Sequence, residues 1–473
     1  MNPPETVPAV SSSPSDRVAA IEKPLLVPVL AALATVYTVL ESMLGPAVPL
    51  IESSLHTTTA AGTWVFTGLT LAGIVSTPLV TRLADVRNKR SLLLAVWTIA
   101  TVGVLVGSVA PDIQTLAVGQ VLQGVGLTTI PLSIAIFRES LPDERLKRAN
   151  GVIIGATSVG SAIGFLLAGP VTDSWDFRWL YRLPLIVLVV LLLAAFKVVP
   201  SIPARRREPV DVAGAALLGV SLTTLLVGLT LAPTHGWTSA LFVLCAAAAA
   251  VLFAAFVGWE RRTAHPLVDL RLGGRVVLTV CAISFAVGWA NMTLFVAVPL
   301  IAEVPKATGY GLGGTATLAG WLLLPMGALG AVAAGVTHHV RRTVGARGTM
   351  IASGLLLLGS MLVLTLSLAL PALIVVTVMM GAGLGLGLTE ALNLLAEHVP
   401  GDRVASASGL VFMVRNTGST FGAQVGGSIL ASSLLVGLPI ASRHGMEIMS
   451  AVALAVAAVA ALGAVTLPRA RRG

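Results

Sequence analysis

From Pro24 almost to its last residues the chain is a succession of apolar runs, each about the 20 residues that an α-helix needs to cross a hydrocarbon layer ~30 Å thick. In hydrocarbon every backbone N–H and C=O must be paired, which for runs of this length means helices packed side by side. The composition agrees: 56% of residues are hydrophobic, 11% are charged and mean hydropathy is +0.92, whereas soluble domains carry about 25% charged residues. The expected fold class is an all-α polytopic membrane protein.

Candidate spans lie at 24–48, 62–82, 91–110, 114–137, 151–172, 178–199, 212–232, 239–258, 277–302, 315–337, 349–369, 371–395, 405–430 and 446–467. Fourteen spans put both termini on one side. Of the 30 Lys and Arg, 25 fall on that side, four (Arg178, Arg182, Lys306 and Arg443) on the other, and one, Arg415, inside a span. The positive-inside rule then makes both termini cytoplasmic. The net charge of +9 is spread over short clusters between spans, which points to topology and not to a nucleic-acid partner. Residues 1–23 are Pro/Ser-rich and expected to be disordered. The "ALA" at 32–34 mimics a signal-peptidase site, but the apolar run continues to Pro49, too long for a signal core, so a retained first span is expected.

Of 51 charged side chains only Glu41, Glu390 and Arg415 are embedded in spans. A charge at a helix centre costs about 2.5–3.5 kcal/mol even on an insertion scale, so each calls for a reason. Glycine (48) and proline (26) are frequent, as at "GAGLGLG" (381–387) and "GATSVGSAIG" (155–164); small residues let helices approach, and broken helix ends can face a cavity. Cys245 and Cys281 lie in spans and are expected to be free thiols. The seven histidines sit in loops or at span edges with no metal-ligating constellation, no HExxH and no P-loop. No cofactor is expected, and ATP is not the expected energy source. Arg outnumbers Lys 25 to 5, which with the Ala/Gly richness fits a GC-rich bacterial source.

"TRLADVRNKRSLL" (81–93), between spans 2 and 3, resembles the signature loop of the major facilitator superfamily at Leu83, Ala84, Asp85, Lys89 and Arg90. Thr81, Val86 and Asn88 depart from it; Asn88 replaces a glycine, and Asn is the best non-Gly tenant of a left-handed turn position. The resemblance implies that Asp85, Lys89 and Arg90 form a conformational clasp; positive-inside anchoring is the other reading. In span 4, "LAVGQVLQGVGLTT" (116–129) is similar to the family's Gly-Arg-x-x-Gln-Gly-x-Gly motif at Gly119, Gln123, Gly124 and Gly126, with Gln120 in place of the arginine associated with proton coupling. Span 5 keeps Gly160 and Gly164 of the exporter element, with Ser161 where Pro is usual, and "SWDFRWLYRLP" (174–184) looks like the loop before span 6. "DVAGAALL" at 211, "HGW" at 235, "WERRTAHPLVDLRL" (259–272), "GWLLLPMG" at 320 and "ASASGLVFMVRNTGSTFG" at 405 resemble the fourteen-span drug:proton antiporter branch. The order and spacing of the set, from about Leu25 to Leu467, carry the resemblance.

In that branch span 1 carries an acid, and "LESMLGPAVP" places Glu41 near that position with one residue fewer before Ala47 and Pro49. Glu41 is ~25 Å along its helix from the cytoplasmic end, at 1.5 Å per residue. A carboxyl at that depth is neutral with a proton and anionic without one, and can exchange that proton for a cationic or polar substrate. Proton or substrate handling, a hydrogen-bonded structural role and wetting from the outer face all stay open for it. Glu390 and Arg415 lie at depths a few ångströms apart, so a structural or gating pair between them and direct contact with cargo or protons are both open. Gln120, Asn291, Asn393, Trp289 and Trp321 are candidate cavity residues; Trp64 is a candidate lining residue or interfacial anchor. Gly124, Gly126, Gly160 and Gly164 are candidate helix-packing positions.

The expected architecture is a 6 + 2 + 6 major facilitator-type fold. It has a cytoplasmic N-terminus (1–23), a first six-helix half (24–199), an inserted helix pair with flanking loops (200–276), a second half (277–467) and a cytoplasmic tail (468–473). The expected activity is proton-coupled efflux of a lipophilic or cationic small molecule across a bacterial cell membrane by a monomer embedded in the lipid bilayer. An uncoupled facilitator or a lipid translocator is the alternative. A polytopic membrane enzyme is disfavoured because no catalytic cluster sits at membrane depth.

Overall fold

The computed structural model describes residues 24–203, 210–263, 266, 274–399, 404–435 and 440–465. Among them the only β-type pairing is the isolated bridge between Leu434 and Ala441. The long helices are α1 (Leu26–Ser54), α2 (Trp64–Val86), α3 (Lys89–Val109), α4 (Ile113–Ser140, with a 3-10 turn at Val125–Thr128), α5 (Asp143–Ser174) and α6 (Trp179–Val198). They continue with α7 (Val212–His235), α8 (Ala240–Arg262) and α9 (Arg275–Glu303). The segment Ala316–Leu366 is two helices, α10 and α11, meeting at Gly345, whose φ of 75° needs a residue without a Cβ. The chain ends with α12 (Leu370–His398), α13 (Val404–Ser432) and α14 (Arg443–Val465).

Twelve helical segments are long and apolar enough to cross a membrane, with Ala316–Leu366 counted once among them. The remaining long helix, α13, is not in that set: its face carries Arg415, Asn416, Thr420, Gln424 and Ser428. Fourteen long helical segments among the described residues are compatible with the fourteen expected spans. The two cysteines are free thiols.

Polar side chains cap some of the helix starts. The Asn88 side chain accepts from the N–H groups of Arg90 (3.0 Å) and Ser91 (3.4 Å), and Asp211 caps α7 through the Gly214 N–H at 2.8 Å. Asn88 has φ −64° and ψ 122°, so it is a cap in extended conformation; the left-handed turn expected there is not formed.

Extensive helix pairs include α1 with α5 and α9 with α13, beside α12 with α10 and α11. A Cβ on Gly160 would sit 2.5 Å from the Thr35 carbonyl oxygen and one on Gly164 2.5 Å from that of Val39, so these glycines permit the α1–α5 approach. Gly124 abuts the Leu69 backbone, and Gly126 faces the Tyr37 ring. Two further pairs join early helices to late ones: α2 with α13 and α5 with α10. The inserted hairpin α7–α8 packs through α7 on both α2 and α13, around a small apolar core of Leu71, Ile74, Leu218, Leu222, Leu226 and Phe256. Its outer member α8 has only 11% of its apolar window buried, against 89% for α9, so α8 faces the surroundings and α9 the centre.

Candidate functional site

A cavity of about 130 Å³ lies where α1, α4, α5, α9, α10, α12 and α13 converge. On α1 the lining residues Ala34, Tyr37, Thr38, Glu41 and Ser42 follow the three- and four-residue spacing of one helix face. The flank next to it, with Leu33, Leu40 and Leu44, is fully buried in the core. On α13 the same spacing brings Phe412, Arg415 and Asn416 to the wall. Glu41 and Arg415, 374 positions apart in sequence, thus share one cavity, and each is the other's electrostatic partner there. The Arg415 Nε, the Tyr37 hydroxyl and the Thr389 Oγ1, all on lining residues, are buried without a hydrogen-bond partner among the described residues.

One end of the cavity is shut. Phe295 of α9 meets Phe66 edge-on at 5.7 Å and Phe165 at 5.4 Å, and packs against Gly45 one turn beyond Glu41. Further out, Asp173 at the end of α5 accepts hydrogen bonds from Thr315 (3.0 Å) and Thr317 before and in α10, and Gly169 abuts Thr317. Toward the other end of the same helices a Cβ on Gly151, Gly155 or Gly335 would meet no atom within 4 Å. α5 and α10 therefore close at the end holding the α1 C-terminus and separate at the other.

The remaining candidates sort by position. Asn291 lines the cavity. Glu390 is fully buried but off the lining: its carboxylate lies 3.5 Å from Arg341 and accepts from Asn393 at 3.4 Å, while Arg341 also holds Glu397 at 2.5 and 2.6 Å. The pair between Glu390 and Arg415 is therefore not formed; Arg341 of α10 takes the place of Arg415. Gln120 is buried and donates to the Tyr181 hydroxyl at 2.7 Å, away from the cavity lining. Trp289 stacks parallel to Phe421 at 6.5 Å, Trp321 is 56% exposed, and neither lines the cavity. Trp64 donates to Thr230 of α7 at 2.9 Å.

Lys89 is 1% exposed and pairs with Glu139 of α4 at 3.0 Å; Arg90 reaches the Phe196 carbonyl and lies over its ring at 5.0 Å. These contacts stay within the first six helices. The side chain of Asp85, the third residue of the expected clasp, is outside the described residues.

A further polar group was not singled out from the sequence. Gln424, fully buried on α13, accepts from Thr63 (3.3 Å) and Thr67 (3.1 Å) beside and in α2 and donates to Thr230 of α7 at 2.8 Å. Thr420 donates to Thr70 at 2.6 Å, and Ser428 to the Leu229 carbonyl at 2.8 Å. The signal was available as Asn416, Thr420, Gln424 and Ser428, a polar residue every fourth position along one helix face.

Comparison with known proteins fits this architecture. Residues 30–423 match the model of the Major Facilitator Superfamily. Multidrug resistance protein Stp of Mycobacterium tuberculosis is 29% identical over 383 residues, covering 78% of this chain and 69% of Stp. The lincomycin resistance protein of Streptomyces lincolnensis is 33% identical over 235 residues, 49% of this chain and 48% of that protein. Fatty acid resistance protein FarB of Neisseria gonorrhoeae is 28% identical over 291 residues, 60% of this chain and 55% of FarB. Among solved structures, the POT family transporter PepTSo superposes with a TM-score of 0.67 at 15% identity, covering 94% of this chain and 98% of that one. The nucleoside transporter NupG gives 0.62 at 11% identity over 93% and 99%. With the family model spanning most of its length and the fold shared end to end, the chain belongs to the major facilitator superfamily.

Proposed function

We propose that this protein is a proton-coupled exporter of lipophilic small molecules that works by alternating access around the Glu41–Arg415 cavity. In this reading 24–199 and 277–467 are the two halves, the pair in 200–276 docks on the seam between them, and both termini are cytoplasmic in a bacterial cell membrane. The protein acts as a monomer. The names of the multidrug, lincomycin and fatty acid resistance relatives support export.

The observation that carries the reading is that Glu41 of the first half and Arg415 of the second line one cavity at the centre of the bundle. Its volume of about 130 Å³ is below the ~300–1,000 Å³ of drug-sized sites, so cargo enters only as the walls part. Rocking about a central site does this, with the Phe295 cluster and the α5–α10 contact forming the closed outer end. Ionised Glu41 holds the donor or cationic part of a cargo molecule. A proton arriving from outside neutralises the carboxylate, and that end of the cargo is released; proton and cargo compete for one group, which is the requirement for exchange.

The test uses inside-out vesicles with an imposed pH gradient. Added substrate should discharge the gradient, and Glu41→Gln should abolish the discharge; unchanged exchange in that variant removes Glu41 from the mechanism. An uncoupled facilitator is the second reading, favoured by Gln120, which replaces the coupling arginine of the family motif and is engaged with Tyr181. Transport that persists when a protonophore is added selects it.

A further inference from the structure

We propose that the cavity selects amphoteric cargo: an apolar body bearing an acidic or acceptor group for Arg415 and a cationic or donor group for Glu41. The inference rests on reading this cavity as the transport site. Glu41 and Arg415 are the only Asp, Glu, Lys or Arg among its described lining residues. Each acts electrostatically on the other, yet among the described residues no ion pair within 4.0 Å joins them and no hydrogen bond holds either side chain. The Arg415 Nε is buried without an acceptor, and the unpartnered hydroxyl of Tyr37 lies one turn from Glu41.

Two opposite charges that share an enclosed space without touching are matched by a molecule that bridges them. A lipophilic monocation can pair with Glu41 but is repelled by Arg415 and leaves its guanidinium unsatisfied; a monoanion meets the reverse problem. A zwitterion satisfies both, and the planar fork of arginine suits a carboxylate in particular. Ser42, Thr157 and Ser158 add neutral hydroxyls to the wall, so the net charge of the site is set by this one acid and this one base. Arg415 is then the residue that keeps simple lipophilic cations out.

Three probes with the same dodecyl tail separate the charge classes: dodecyltrimethylammonium, dodecanoate and the zwitterion N-dodecyl-N,N-dimethylglycine. Dissociation constants are measured below micellar concentration for the full-length protein in nanodiscs. The zwitterion should bind about tenfold more tightly than either singly charged probe. Arg415→Gln should make the cation the tightest, Glu41→Gln should make dodecanoate the tightest, and Arg415→Lys should keep the parent ranking. Equal affinities in the parent, or a ranking unchanged by the charge-removing variants, overturns the proposal; should Arg415→Gln fail to fold, Glu41→Gln decides. A flat ranking beside intact proton-driven export sinks this inference alone. The expected ranking without any proton-driven export sinks the coupling reading alone.

Discussion

Gln424 of α13 donates a 2.8 Å hydrogen bond to Thr230 of α7 while accepting from Thr63 and Thr67 on the α2 side. One fully buried amide thus joins three helices, and the inserted hairpin is tied by polar contacts to the line where α2 crosses α13. Interhelical hydrogen bonds in membranes are worth about 0.6 kcal/mol on average, with a maximum near 1.7. Gln424→Leu should therefore lower stability by about 1–2 kcal/mol. Thr230→Val should cost a similar amount, because the Thr230 hydroxyl accepts from both Gln424 and Trp64 and donates to the Leu226 carbonyl at 2.9 Å. The check is a double-mutant cycle from reversible unfolding in detergent. A coupling of about 0.5 kcal/mol or more is expected; strict additivity would mean that the two side chains do not act together.

The α1–α5 approach makes a sharper prediction. Gly160→Leu and Gly164→Leu push side chains into the α1 backbone and should cost about 1–3 kcal/mol or more. Gly151→Ala and Gly155→Ala on the same helix meet no atom within 4 Å and should gain up to about 1 kcal/mol from helix propensity. Thermal stability of the four purified variants checks this. Gains at all four positions would show that helix propensity, not the close contact, governs these sites.

What the sequence made legible follows what physics writes locally. Apolar run length and the Lys/Arg bias carried the helices and their order, because the bilayer acts on each segment separately. Glu41 was legible because a lone carboxylate in a span is costly by itself. That Arg415 faces it across the cavity was not, since the choice between Glu41 and Glu390 as the acid opposite Arg415 depends on helix rotation: Arg415 turns to the cavity with Phe412, whereas Glu390 turns one position past Thr389 to meet Arg341. Trp289 and Trp321 lie off the lining for the same reason, one stacked on Phe421 and the other exposed. Residue type shows that a side chain needs company and does not show which way the helix turns it.

Asp112 lies just before α4 and outside the spans, and it caps that helix. The Thr115 N–H donates to its carboxylate at 2.7 Å, and this bond to the charged form holds the carboxyl below its ordinary value. The folded pKa is depressed, so its contribution is present above the unfolded value of about 3.9 and is lost as pH falls through the folded one. Amide hydrogen exchange in the first turn of α4 should accelerate as pH is lowered below about 4, after correction for the intrinsic rate. Asp112→Asn, an equally good cap, should remove that acceleration without fraying the helix at neutral pH. Identical pH profiles for parent and variant would place the sensitivity elsewhere.

The cluster around Arg341 yields the last prediction. Glu390 is fully buried, and Arg341 is the one cation within ion-pair distance of it among the described residues. Glu397 draws on the same guanidinium, through both oxygens. Removing one partner of a buried pair leaves an uncompensated charge and typically costs about 3–5 kcal/mol, whereas removing both charges is far less damaging. Arg341→Met should therefore be strongly destabilising, Glu390→Gln mild because Arg341 keeps its pair with Glu397, and the double variant closer to the parent than Arg341→Met. If the cluster only holds α10 against α12, binding of a transported compound by Glu390→Gln stays at the parent level once folded protein is compared. A loss of binding in proportion to that of Glu41→Gln would instead assign Glu390 to the cargo path, and the order of stabilities among the three variants would then have to be explained by something other than this ion pair.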